Sequence, residues 1–326
     1  MEALIRVGAC GLNNTDVNTR TGWYSKAVSE ATTGEAYATV SGDDPTWGGA
    51  PITFPRIQGA DAVGEVVAVG EGADAALIGK RVMTDGWLRD WTDPDNMDKA
   101  GYLGSEIDGG FAEFTKTDVR NMAVVESDLS DAELATFSCS YTTAEGMLSR
   151  ANVGAGDTVL VPGASGGVGG ALVQLARRRG ARVIAMASEA KHAEVARLGP
   201  DLVLPRAPEN LREALGGRKV TVVADIVGGP YWPRLIDILE RGGRYTCSGA
   251  IAGPIVTLDL RTFYLRDLTF TGSTVIPSGI FKDVVGYIER GEIRPVLAAT
   301  YPLSELRRAQ QAFIDKRHAG NIVVIP

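Results

Sequence analysis

Cysteine is scarce, at three residues in 326. Cys10, Cys139 and Cys247 are widely spaced and odd in number, which excludes a disulfide framework and fits a reducing compartment. A cytoplasmic location is therefore expected. Positive charge is also in deficit: 33 Lys and Arg stand against 40 Asp and Glu, a net charge of −7. No basic field is available for a phosphate backbone, so nucleic acid is excluded as a main partner. Long apolar runs are missing, and the opening MEALIRV alternates like a strand instead of resembling a leader. No membrane partner is expected. Internal repeats and low-complexity stretches are missing too. Glycine, in contrast, is abundant: 40 residues, about 12% against a usual share near 7%, so the backbone often turns tightly or comes close to something.

The length suggests about two domains. Up to residue 120, short β-rich runs alternate with turn chemistry, at Leu4–Val7, Ala62–Val69, Arg81–Thr84 and Gly110–Thr115. Glycine-bounded strands of this spacing predict a small curved barrel. Two irregular stretches, 25–53 and 86–108, exceed ordinary connections and read as lids, with Tyr37 and Trp47 able to wall a pocket. Beyond residue 130 the period changes. Helices are expected over 131–137, 143–150, 171–178, 191–198 and 232–239, and strands over 157–161, 182–187, 202–204, 220–225 and 243–248. This alternation predicts a doubly wound parallel sheet. Helical stretches over 281–290 and 304–316 and a terminal strand over 321–325 complete the chain.

The strand Thr158–Val161 runs into Pro162-Gly163-Ala164-Ser165-Gly166-Gly167-Val168-Gly169-Gly170 and then a helix. Gly166 would let the backbone approach a pyrophosphate, Gly169 would let helix and strand pack, and the helix N-terminus would supply N–H groups and a positive dipole end. Ala164 replaces the first glycine of the dinucleotide fingerprint, while the strand, loop and helix order is intact. The bland alternative is a glycine-rich turn that only packs the sheet. The next strand ends at Ala187-Ser188 with no acid to hold a ribose 2′-hydroxyl. Ser188, Lys191 and Arg206 instead suit a 2′-phosphate, which favours NADPH over NADH. Simple solvent exposure is the alternative for both cations, and Glu189 could be aimed at a ribose.

Cys10-Gly11-Leu12-Asn13-Asn14-Thr15-Asp16, the run Gly59–Gly64 and the glycine loop stand in an order that resembles the medium-chain dehydrogenase/reductases, in particular their zinc-free quinone oxidoreductase and enoyl reductase branch. The resemblance spans nearly the whole chain and implies an α/β fold: a GroES-like, β-rich catalytic domain over 1–122 and 262–326, and a doubly wound Rossmann domain over 123–261. Zinc-bearing relatives have Cys and His where this chain has Asn13 and Ala60. Cys139 matches a third ligand, yet one thiol cannot hold zinc, and His192 and His318 lie far from these positions. No metal is expected, and Cys139 reads as a small buried hydrophobe.

The resemblance further implies NADPH-dependent hydride transfer to an activated C=C or a quinone. Tyr24 would be the proton donor, and Asn13 would polarise a substrate carbonyl. A lid or core aromatic and a turn residue are the respective alternatives, and Asp16 could brace the loop. By position, Thr143, Ala164, Ser165, Gly166, Gly167, Val168, Val227, Ser248, Gly249, Ala250, Ser273 and Asn321 would join Ser188, Lys191 and Arg206 around the cofactor. A homodimer through Val256–Leu260 and Leu268–Gly272 is implied. Relatives carry about 25–30 further residues ahead of the equivalent of Met1, so either this start is truncated or something else covers that sheet edge. A zinc-independent carbonyl or alcohol oxidoreductase and a non-catalytic NADPH-binding protein stand as competing functions.

Overall fold

In the computed structural model, residues 1–32 and 52–326 are described. The chain enters through β1 (Glu2–Gly11), whose first positions alternate exposed and buried as a strand with one face on a core must. The short helix α1 (Asn14–Arg20) follows, then β2 (Asp61–Val69), β3 (Arg81–Thr84), the two-residue β4 (Trp87–Leu88) and β5 (Gly101–Tyr102), β6 (Phe114–Asp118) and β7 (Met122–Val124). Helices α2 (Asp131–Leu134) and α3 (Ser138–Arg150) lead into an alternation of β8 (Thr158–Val161), α4 (Gly167–Arg178), β9 (Arg182–Ala187), α5 (His192–Ala196), β10 (Leu202–Pro205), α6 (Leu211–Ala214), β11 (Val220–Asp225), α7 (Trp232–Asp237), β12 (Leu239–Cys247), α8 (Leu260–Tyr264) and β13 (Thr269–Gly272). The chain closes with α9 (Ile280–Glu289), β14 (Leu297–Pro302), α10 (Leu306–Ile314) and β15 (Asn321–Ile325). None of the described helices is long and apolar enough to cross a membrane.

Two compact units result, and the division falls within α3. The first holds Met1–Val28, 52–142 and Val275–Pro326 among the described residues. Its sheet runs β14-β15-β1-β2-β3-β7, with β6 also on β1. β1 is antiparallel to β2, β6 and β15, and Ile5 opposite Val66 marks its register with β2. Ala3, Ile5, Val66, Val82 and Met122 form one core. Val7, Cys10, Leu12, Val17, Phe111, Phe313 and Ile322 belong to a second one. The two cores share β1, and bulges between Leu4 and Ile5 and between Val7 and Ala9 curve it.

The second unit holds 29–32 and Thr143–Thr274 among the described residues. Its six strands are all parallel, in the order β10-β9-β8-β11-β12-β13. Counted within the unit this is 3-2-1-4-5-6, the doubly wound order, with its reversal between β8 and β11. Leu160, Ile184, Val223, Trp232, Leu239 and Tyr245 are among the residues of its core.

Several elements differ from the sequence expectation. The helix after the glycine loop starts at Gly167 instead of Ala171, because close packing of its first turn outweighs glycine's poor helix propensity. Val256–Leu260 is not a strand: the Asp259 carboxylate accepts from Arg261 N and starts α8 at Leu260. The strand expected over Gly110–Thr115 begins at Phe114, since Gly110 N and Phe111 N donate to Gly59 O and Gln58 O. Leu239, expected to end a helix, opens β12.

Candidate active site

In the second unit, every residue of β8 is buried, and the chain leaves the strand through Gly163 at φ 68°. Ala164 N donates to Met186 O (3.0 Å), tying the loop to β9. A Cβ on Gly169 would lie 2.2 Å from Gly163 O, so helix and loop backbones touch where only glycine fits. Gly166, the N-cap of α4, has nothing nearer than 3.7 Å to such a Cβ. It therefore opens onto free space beside a 12-residue helix whose first turn has no acid. The leading N–H groups of α4 have no intrahelical acceptor, and the dipole there favours an anion. A pyrophosphate fits this cradle.

Five neighbouring strands end on the same side of the sheet, because all are parallel. Their carboxyl ends bring together most of the expected cofactor residues: Ala164–Val168 after β8, Ser188 after β9, Val227 after β11, Ser248–Ala250 after β12 and Ser273 after β13. Lys191 and Arg206 stand beyond the ends of β9 and β10. Burial lowers the Lys191 pKa, and the positive charge of Arg206 lowers it further while Glu194 opposes the shift. Two cations that destabilise each other suit a bound dianion. Ser273 is 3% exposed, and its Oγ has no hydrogen-bond partner among the described residues. Thr143 lies on α3. Asn321 lies in the first unit, where its amide donates to Ser140 Oγ (3.1 Å).

The first unit gathers a second polar group. Asn13 is the N-cap of α1, and its backbone N–H donates to the Asp16 carboxylate (2.8 Å). Asn13 Nδ2 donates to Asp61 Oδ2 (3.0 Å), and the other Asp61 oxygen accepts from Cys139 N (2.9 Å) in the first turn of α3. One carboxylate thus fixes the starts of two helices, and among the described residues the second amide N–H of Asn13 has no acceptor. Asp16 also accepts from Gly59 N (3.2 Å). Burial raises Asp16 and Asp61 to about 7, against the hydrogen bonds that lower them, and Asp85 to about 6 against the nearby Arg89. Tyr24 is half-buried, and burial pushes its phenol well above the ordinary tyrosine range, while the Asn18 side chain as a hydrogen-bond partner opposes the shift. Cys139 and Asp16 raise it further. The phenol is therefore protonated at neutral pH.

Two members of this group were not among the sequence candidates. Asp61 is fully buried at the head of an apolar strand, and an acid leading such a run signals a buried, paired carboxylate. Tyr102 is buried on β5 and packs edge-on against Trp87, with ring centroids 4.9 Å apart. It shares a hydrogen bond with the Cys139 side chain, and burial and that thiol raise its pKa. Its place in an irregular stretch hid it. That stretch, 86–108, is tied down by Arg89, which donates to Pro94 O and Ile276 O (3.0 Å each), and by Trp91 Nε1 on Asn121 Oδ1 (2.8 Å). Of the other expected lid, Tyr37 and Trp47 lie outside the described residues.

The donor set does not suit zinc. Asn13 and Ala60 offer no ligand, Asp16 and Asp61 are engaged by N–H groups, and the Cys139 thiol has Tyr102 as a partner. No group of three His, Cys, Asp or Glu among the described residues could hold a metal ion.

Comparison with known proteins accords with both halves of this geometry. Residues 1–127 match the alcohol dehydrogenase GroES-like domain, and residues 167–290 match the family described as zinc-binding dehydrogenase. The acryloyl-coenzyme A reductase of Metallosphaera sedula is 31% identical over 286 residues, covering 84% of each chain. The crystal structure of a putative alcohol dehydrogenase from Sinorhizobium meliloti shares 48% identity and a TM-score of 0.90, over all of this chain and 88% of that one. A mycobacterial protein complexed with NADPH shares 27% identity and a TM-score of 0.76, over all of this chain and 91% of that one. The two matched regions fall largely on the β-rich unit and on the doubly wound unit, and the chain belongs to the medium-chain dehydrogenase/reductase family of oxidoreductases.

Proposed function

We propose that this protein is an NADPH-dependent reductase that transfers hydride to an activated C=C, in an enone or enoyl substrate, or to a quinone, without zinc. The observation that carries this reading is a set of hydrogen-bond donors in a group that offers no zinc-ligand set: Asn13, oriented by Asp61, and the protonated Tyr24, which interacts with Asn18, Asp16 and Cys139. Bound NADPH would supply the hydride. The cradle at Gly166–Val168 would hold its pyrophosphate, Lys191 and Arg206 its 2′-phosphate, and Thr143, Val227, Ser248–Ala250, Ser273 and Asn321 the remainder. Asn13 would donate to the carbonyl oxygen as charge develops on it, and the Tyr24 phenol would return a proton to the adjacent carbon. The acryloyl-coenzyme A reductase relative supports an enoyl substrate.

The deciding assay follows oxidation of NADPH and NADH in parallel, with a chelator present, against a quinone, a set of enones and a set of enoyl thioesters. Turnover that prefers NADPH and survives chelation is expected. Loss on chelation would sink the zinc-free reading, and alcohol oxidation with NADP⁺ in place of alkene reduction would move the protein to carbonyl chemistry. We also propose a homodimer. β13 ends the parallel sheet, and the adjoining Ile255, Leu260, Tyr264 and Leu265 are all exposed. Light scattering at micromolar concentration that returned a single-chain mass would remove this proposal.

A further inference from the structure

Asp225 closes the apolar strand β11 and is fully buried. A carboxylate in that position must find donors, and among the described residues three lie in hydrogen-bond geometry. Val227 N donates at 2.7 Å, Gly228 N at 3.2 Å and the Tyr245 hydroxyl at 3.0 Å. Two of the three belong to the turn that leaves β11, a turn that holds Gly228 at φ 59° and Gly229 at φ 68°. The segment after β12 clasps the same turn from its other side, with Ala252 N on Val227 O (2.7 Å) and Gly229 N on Gly253 O (3.0 Å). A Cβ on Gly228 would lie 2.9 Å from Gly253 O, and one on Gly229 only 2.5 Å from Ala252 O. The turn therefore has a single seat.

Val227 carries this order to the phosphate loop, since a Cβ on Gly163 would lie 2.9 Å from Val227 Cγ2. Tyr245 is itself held by rings, with its centroid 5.7 Å from that of Trp232 and 5.4 Å from that of Phe270. A buried acid thus connects an aromatic core to a turn, and the turn to the loop that opens onto the cradle.

We propose that Asp225 is a positioning residue for the bound dinucleotide: it fixes the turn 226–229 and, through Val227, the phosphate loop, so that the pyrophosphate and nicotinamide end of the cofactor meets a preorganised surface. This rests on the dinucleotide reading above. The effect is specific to one end of the cofactor, because Lys191 and Arg206 follow β9 and β10, on the other side of β8 from β11.

That asymmetry supplies the test, in which calorimetric titration of the full chain measures NADPH and adenosine 2′-phosphate, the latter having neither pyrophosphate nor nicotinamide. In Asp225→Asn an amide faces N–H groups that need an acceptor, and the Kd for NADPH should rise about tenfold or more while that for adenosine 2′-phosphate stays within about twofold. Tyr245→Phe removes one donor and leaves the turn bonded, so a rise of about two- to threefold for NADPH alone is expected. Equal weakening of both ligands by Asp225→Asn would show a merely structural residue and overturn the proposal, as would wild-type affinity for NADPH. Should Asp225→Asn fail to fold, an unchanged ratio of the two Kd values in Tyr245→Phe overturns it. Failure of the unaltered protein to bind either ligand would strike the cofactor reading itself.

Discussion

In the proposed mechanism Tyr24 and Asn13 divide the polar work between them, and they can be separated by what each removal leaves behind. Tyr24→Phe keeps the ring and deletes a phenol proton. Its kcat should fall about 10²-fold with little change in the KM for NADPH, as general-acid contributions usually run. Unchanged kcat across the pH range would take Tyr24 out of the chemistry. Asp61 acts one step back, and its raised pKa makes it visible in stability. With pKa values of about 7 when folded against 3.8 for the ordinary group, Asp61 and Asp16 bind more protons in the folded chain than in the unfolded one between about pH 4 and 7. Their contribution is therefore greatest at low pH and is lost as pH rises through that window. Carboxyls held low by partners, such as Asp118, act in the opposite sense but below that window. Asp61→Asn should flatten the decline between pH 4 and 7 in denaturant titrations, and an unaltered slope would refute the assignment.

At the scale of elements, the glycine loop shows how two neighbouring glycines do different jobs. Gly166→Ala places a methyl in open space at φ −84°, a conformation any residue adopts, so folding stability should hold while the methyl occupies the cradle and weakens NADPH binding. Gly169→Ala drives a methyl to 2.2 Å from Gly163 O and should cost about 1–3 kcal/mol of stability in the same unfolding measurement. Equal effects of the two substitutions on stability would undo this distinction. The loop and the parallel alternation around it were legible because both are written in local sequence: an apolar run, closely spaced glycines, then a helical period. Long-range pairing was not. Nothing near Tyr102 shows that it shares a bond with Cys139, 37 positions on, and nothing near Asp61 shows that its carboxylate reaches both Asn13 and Cys139. Asn13 was legible as a candidate from its motif, but its orientation comes from Asp61. The strand expected over Val256–Leu260 failed for a local reason that β propensity overlooks, the capping carboxylate of Asp259.

Across the whole molecule, charge is unevenly shared. Lys and Arg outnumber Asp and Glu by 16 to 12 between residues 143 and 274, although the chain as a whole carries −7. The rest of the chain is correspondingly acidic. An acidic protein that concentrates its cations in the dinucleotide-binding fold can attract a highly charged cofactor to one region without offering a basic surface to nucleic acid. Such attraction is screened over a Debye length of about 10 Å at 0.1 M salt. The KM for NADPH should therefore rise several-fold when ionic strength goes from about 0.02 to 0.2 M, whereas the KM for NADH, which lacks the 2′-phosphate, should rise less. A Lys191→Ala, Arg206→Ala double variant should lose most of the difference between the two cofactors. Initial-rate kinetics with both nucleotides at a series of salt concentrations make the comparison. Parallel salt responses in the unaltered protein would mean that the overall positive charge of this region, and not the pair of cations beyond β9 and β10, draws the nucleotide in.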